Sequence, residues 1–139
     1  MSIIPISVTE ISIQPGCDYV SRVGRIVECV AESLGMDLQQ ANDAKAAVSE
    51  ACANAVQHGI LTTPSEGLKV RFCADGRALI AEVSGEGDHE KVTPVTPDEE
   101  PQAGFGLMLM RSLADNVEFL RNGRGMIVRL TKVAGRHAE

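Results

Sequence analysis

The chain has 139 residues, 44% of them hydrophobic, which suits one compact domain with its own core, covering residues 1–139. Thirteen Lys and Arg against nineteen Asp and Glu give a formal charge of −6, so the cationic surface that neutralises nucleic-acid phosphates is missing, and no direct nucleic-acid contact is expected. With no Trp, one Tyr and three Phe, the aromatic platforms of single-strand binders are missing too, and the core must be aliphatic.

The opening MSIIPISVTEISIQ has no basic n-region and alternates apolar with polar residues through Ile4, Ile6, Val8, Ile11 and Ile13. It reads as a strand, with the change of phase between Glu10 and Ile11 predicting a bulge. No apolar run elsewhere is long enough to span a bilayer, so a cytoplasmic protein without a membrane partner is expected. After Pro15-Gly16, the spacing of Val20, Val23, Ile26 or Val27, Val30 and Leu34 predicts a helix over 17–35 ended by Gly35. Asp37, with Gln40 three positions on, is a variant capping box for a second helix that runs to a stop at Gly59. Cys17, Cys29, Cys52 and Cys73 lack CxxC or metal-ligand spacing and read as reduced, buried thiols.

Two strands, Leu68 to Ala74 and Ala78 to Ser84, are predicted to turn at Asp75-Gly76. From Gly85 to Gly104 the chain carries three prolines and six acidic residues without a periodic apolar face, so no regular element is expected, and lid and disorder are both open readings. GFGLMLMRSLADNV then reads as a helix opened by glycine, and VEFLRNGRGMIVRLTKV as a hairpin around Asn122-Gly123. The order β, α, α, β, β, loop, α, β, β predicts an α/β two-layer sandwich: a mixed, mostly antiparallel sheet with three helices on one face.

On the second helix Ala41, Ala44, Val48, Ala51, Cys52 and Ala55 share one side, the core side. With Glu50 at zero, Asn54 lies at about 40° and His58 at about 80°, so three functional groups line one edge, a spacing that an ordinary solvated face would also produce. Gly104-Phe105-Gly106-Leu107 adds a second signal, since glycines admit a ligand close to the backbone and a helix N-terminus favours phosphate.

Together, VSEACANAVQHG, a glycine-containing strand end, a polar loop and GFGLMLMRSLAD resemble the ATP-binding fold shared by histidine kinases, GyrB-type ATPases and Hsp90. Within it the chain looks most like the small anti-sigma-factor serine kinases. The resemblance implies Glu50 as general base, Asn54 as a Mg²⁺ ligand, and Asn54, His58, Gly85, Gly87, Gly104, Phe105, Gly106 and Leu107 around ATP, with 86–103 as the lid. It also implies a sigma factor and an anti-anti-sigma protein as partners, a homodimer, and Arg22 on the first helix, with Arg25 nearby, as a sigma-factor contact. Arg111 and Asp115 read as surface charges.

Two departures bear on adenine. The family has an Asp in D-x-G-x-G at the end of the middle strand; here the run is Val83-Ser84-Gly85-Glu86-Gly87-Asp88-His89, with Gly85 at the Asp position and Glu86 or Asp88 able to replace it only after a register shift. Where the family carries G-T, this chain has Gly125-Met126-Ile127-Val128, and Ile127 is taken as the residue that replaces the threonine. Three functions therefore stand side by side: an active kinase, a non-catalytic module that sequesters a sigma factor or other regulator, and a detached sensor-kinase ATP domain.

Overall fold

The computed structural model describes residues 7–13, 19–57, 67–85, 92–95, 105–122 and 125–135. Strand β1 (Ser7–Ile13) is followed by α1 (Tyr19–Ser33), α2 (Leu38–Gln57), β2 (Leu68–Asp75), β3 (Ala78–Gly85), β4 (Val92–Pro94), α3 (Phe105–Leu113), β5 (Asn116–Asn122) and β6 (Gly125–Val133). The strands form one six-stranded sheet in the order β1-β2-β3-β6-β5-β4. Every described pairing is antiparallel, so the expected mixed sheet shows no parallel pair among the described residues. Each long strand is joined to its neighbour by a hairpin or returns beside it after a helix, and neither route needs a parallel crossover.

Strand alternation separates the two faces. The rows Ile11-Val70-Val83-Val128-Phe119 and Phe72-Ala81-Leu130-Val117 point at the helices and carry the core, in which Val70, Phe72, Ala81, Val83 and Val128 have no exposed surface. Helix α2 lies over β2, β3 and β6, α3 over β5, and α1 packs on α2. Burying each large aliphatic side chain of this layer contributes about 1.5–3 kcal/mol.

The opposite face carries a row of alternating charge, Glu10-Arg71-Glu82-Arg129-Glu118, across five strands. Glu82 accepts from Arg129 Nε at 2.8 Å and stands 3.8 Å from Arg71, while Arg129 reaches Glu118 at 3.8 Å. Such half-exposed pairs contribute roughly 0.2–1 kcal/mol each. Their larger effect is on register, because a slip by one residue would bring this row onto the apolar side.

Several local readings meet their residues. Gly35 has φ of 77°, and the bonds Met36 N to Ala31 O (3.0 Å) and Gly35 N to Glu32 O (3.1 Å) close α1 as a Schellman motif. In the capping box, Gln40 N donates to Asp37 Oδ1 at 2.8 Å and Asp37 N donates to Gln40 Oε1 at 3.2 Å. Gln40 does more than the motif requires: buried, it also donates through Nε2 to the Gly135 carbonyl at 2.9 Å, which ties the start of α2 to the end of β6. Gln40→Ala removes the side chain's two bonds and leaves a part-buried carbonyl without its donor, so a loss of about 2 kcal/mol is expected in urea unfolding.

Other readings are corrected. β1 pairs one-to-one with β2 from Ser7↔Ala74 to Ile13↔Leu68, so there is no bulge between Glu10 and Ile11. Val20 is exposed; the rest of the α1 stripe holds, with Val23 and Val27 buried and Ile26, Val30 and Leu34 packed against the core, and Ala31 joins the buried side. On α2, Ala47 joins the buried side while Ala41 stays half-exposed. Asp75 pairs with Ala78, so the turn residues are Gly76-Arg77; positive φ at Gly76 (63°) but not at Arg77 is the type II′ pattern, whose twist suits a hairpin. Asn122 pairs with Gly125 and so belongs to the strand pairing, while Gly123 of the expected turn lies outside the described residues. Within the stretch read as irregular, Val92–Pro94 pairs with β5 as an edge strand, a position that tolerates proline, and Val95 is buried. Of the described cysteines, all free, only Cys52 is buried; Cys73 is half-buried and Cys29 exposed. Asp115 is exposed, as a surface charge should be, and its carboxylate also accepts from Val133 N at 2.7 Å.

Candidate functional site

Helix α2 presents its two faces to different neighbours. Ala44, Ala47, Val48, Ala51, Cys52 and Ala55 are buried on the sheet side, and small residues there let the helix approach the strands closely. Glu50 and Asn54, one turn apart, are half-buried on the flank that meets α3. Burial pushes the Cys52 thiol up to about 12, so it is a neutral core group and not a nucleophile.

Position 106 joins the two sequence signals. A Cβ built on Gly106 would lie 2.5 Å from Glu50 Oε2, 3.2 Å from Glu50 Cδ and 3.1 Å from Asn54 Nδ2. The carboxylate and the amide therefore stand directly against the backbone of the first turn of α3, in space that any other residue would fill. Leu107 and Met110, both buried, seat α3 on the core and hold that turn in place. The first turn of a helix, whose N–H groups have no partner within the helix, a carboxylate and a side-chain amide thus converge at one place. Rotation of the Asn54 amide by half a turn exchanges its oxygen and nitrogen, so the same side chain offers either atom there.

Gly85 ends β3 on the helix-facing side, opposite Leu68. Phe105 begins α3; His58, Gly87 and Gly104, with residues 86–91 and 96–103 of the lid, lie outside the described residues. Arg22 is exposed on α1, whereas its neighbour Arg25 lines a groove between α1 and α2 of about 490 Å³ with Gly24, Lys45 and Ser49. Ile127 is displaced from its expected role: alternation from the helix-facing Val128 turns Ile127 to the open face, where it lines a cavity with Ser84, while Met126 packs against the core. Met126 is thus the residue the sequence reading missed, and counting back by two from Val128 would have found it.

A family model described as a histidine kinase-like ATPase domain matches residues 13–132, a span that holds Glu50, Asn54, Gly85 and Gly106 in one unit. The chain belongs to the histidine kinase-like ATPase family. Within this family it is 33% identical over 126 residues to the serine-protein kinase RsbW of Bacillus subtilis (strain 168), covering 83% of this chain and 78% of the relative. It is 31% identical over 118 residues to the anti-sigma F factor of Thermoanaerobacter sp. (strain X514), covering 79% of this chain and 82% of the relative. A solved structure of the RsbU and RsbW domains of a Mycobacterium tuberculosis protein superposes with a TM-score of 0.65 at 21% identity, over 96% of this chain and 34% of that one, which shows the shared fold. These relatives agree with the resemblance to anti-sigma-factor serine kinases. In this histidine kinase-like ATPase domain, no helix among the described residues is long and apolar enough to cross a membrane.

Proposed function

We propose that this chain is an anti-sigma-factor serine kinase, which binds a sigma factor and transfers the γ-phosphoryl group of Mg-ATP to a serine of an anti-anti-sigma protein. The observation that carries this reading is the convergence of Glu50 and Asn54 on the glycine of the first turn of α3. The relatives, serine-protein kinases and an anti-sigma F factor by name, support the choice of acceptor and partner.

Phosphoryl transfer asks chiefly for positioning and neutralisation of charge. Glu50 accepts the proton of the attacking serine hydroxyl at a carboxylate oxygen. Gly106 and its neighbours in the first turn of α3 turn backbone N–H groups to the phosphates. Hard oxygen donors suit Mg²⁺, and Asn54 would hold that ion, which neutralises charge on the phosphates when bound. Arg22 supplies an exposed cation for the sigma factor. The open sheet face, with its matched charges, is offered to a second copy in a cytoplasmic homodimer.

Gly85 favours a second reading, a module that holds the sigma factor without catalysis. Incubation with radiolabelled Mg-ATP, the sigma factor and an anti-anti-sigma protein from the same cell separates the two. The kinase reading expects phosphoserine on the anti-anti-sigma protein; tight sigma-factor binding with no transfer would establish the non-catalytic module instead.

A further inference from the structure

The polar groups of the candidate site stand at one end of it. The Gln40–Gly135 bond places the start of α2 beside the end of β6. A twenty-residue helix and a nine-residue strand are both about 30 Å long, so the Glu50–Asn54 half of α2 lies toward the beginning of β6 and the end of its antiparallel neighbour β3. There the described helix-facing positions are Val83, Gly85, Met126 and Val128; Val83 and Val128 share the core with Cys52 and Ala55 of α2, and Met126 packs against it. Among these described positions there is no carboxylate, amide or hydroxyl. Ser84, the nearest hydroxyl in the strand, is buried on the other side of the sheet with Ile127.

A site that selects adenine needs a hydrogen-bond acceptor fixed against the exocyclic amine, because only that group separates adenine from hypoxanthine at the ring's 6-position. A methionine thioether and an α-carbon hydrogen provide packing, which every purine accepts equally. We propose that the nucleotide site of this chain reads the triphosphate and not the base, so that it takes purine nucleoside triphosphates without preference for adenine. This rests on the nucleotide-dependent kinase reading above and names its substrate class.

Calorimetric titration of the full chain with Mg-ATP, Mg-ITP and Mg-GTP tests it. Dissociation constants within about threefold of one another are expected, since no charged hydrogen bond distinguishes the bases. Gly85→Asp should then tighten ATP by roughly tenfold or more while leaving ITP unimproved, as a carboxylate accepts from the amine and repels the 6-oxo group. ATP bound more than about tenfold tighter than ITP by the unaltered chain overturns the proposal and leaves the kinase reading standing. Failure of all three nucleotides to bind overturns the kinase reading and the proposal with it. Should Gly85→Asp not fold, the three titrations of the unaltered chain decide alone.

Discussion

Gly106→Ala is expected to lower the rate of phosphoryl transfer by about a hundredfold or more while leaving the protein folded. The added methyl would sit 2.5 Å from Glu50 Oε2 and 3.1 Å from Asn54 Nδ2, closer than side-chain atoms tolerate. Both contacts are the far ends of side chains, so they swing away and the helices stay packed. Alanine is favoured over glycine inside a helix by about 0.5–1 kcal/mol, which offsets the crowding and holds the net change in stability within about 1 kcal/mol. The proposed catalytic groups, however, would be displaced by roughly an ångström, and displacements of that size cost on the order of a hundredfold in rate. Single-turnover kinetics and thermal unfolding of the same preparation check the two halves. An unfolded variant, or a folded one with full activity, would sink the assignment of this cluster as the site.

Glu50→Gln isolates the base from the architecture. The amide keeps the shape and hydrogen-bonding reach of the carboxylate but cannot take a proton at the same oxygen. General base catalysis contributes typically 10²–10⁴-fold, so a loss of about that size in transfer is expected, with nucleotide affinity held within a few-fold. Measured against Gly106→Ala, the contrast is informative: Glu50→Gln removes a chemical step and leaves the geometry, whereas Gly106→Ala leaves the chemistry and removes the geometry. An active Glu50→Gln would show that proton transfer runs through another group.

The parts of the fold that depend on neighbours in sequence were legible before the structure. The Asp37/Gln40 box, the glycine stop at Gly35 and the apolar side of α2 each follow from bonds or contacts within about one or two helical turns. What could not be read depends on pairing across the sheet. The unbulged β1 and the edge strand Val92–Pro94 are fixed by partners far along the chain, and the turn at Gly76-Arg77 by the register of the two strands it joins. The site divides the same way. Glu50 and Asn54 stood out as an edge of one helix, but their meeting with Gly106 is a tertiary fact. Met126 rather than Ile127 faces the helices because strand alternation from the core residue Val128 fixes the side, and that depends on which strand face is covered.

Helix α3 has nine residues, Phe105–Leu113, and opens with a glycine in its first turn. A helix so short does not persist by its own hydrogen bonds; it holds while Leu107 and Met110 stay seated in the core and Lys132 Nζ donates to the Leu113 carbonyl at 2.8 Å at its far end. Lys132 also lies 3.7 Å from Asp43 on α2, so one ammonium fastens the end of α3 to the helix that carries Glu50. The proposed site is therefore a cooperative product of the fold rather than a property of two side chains: without α3 seated, the carboxylate, the amide and the first turn of that helix would be lost to one another together.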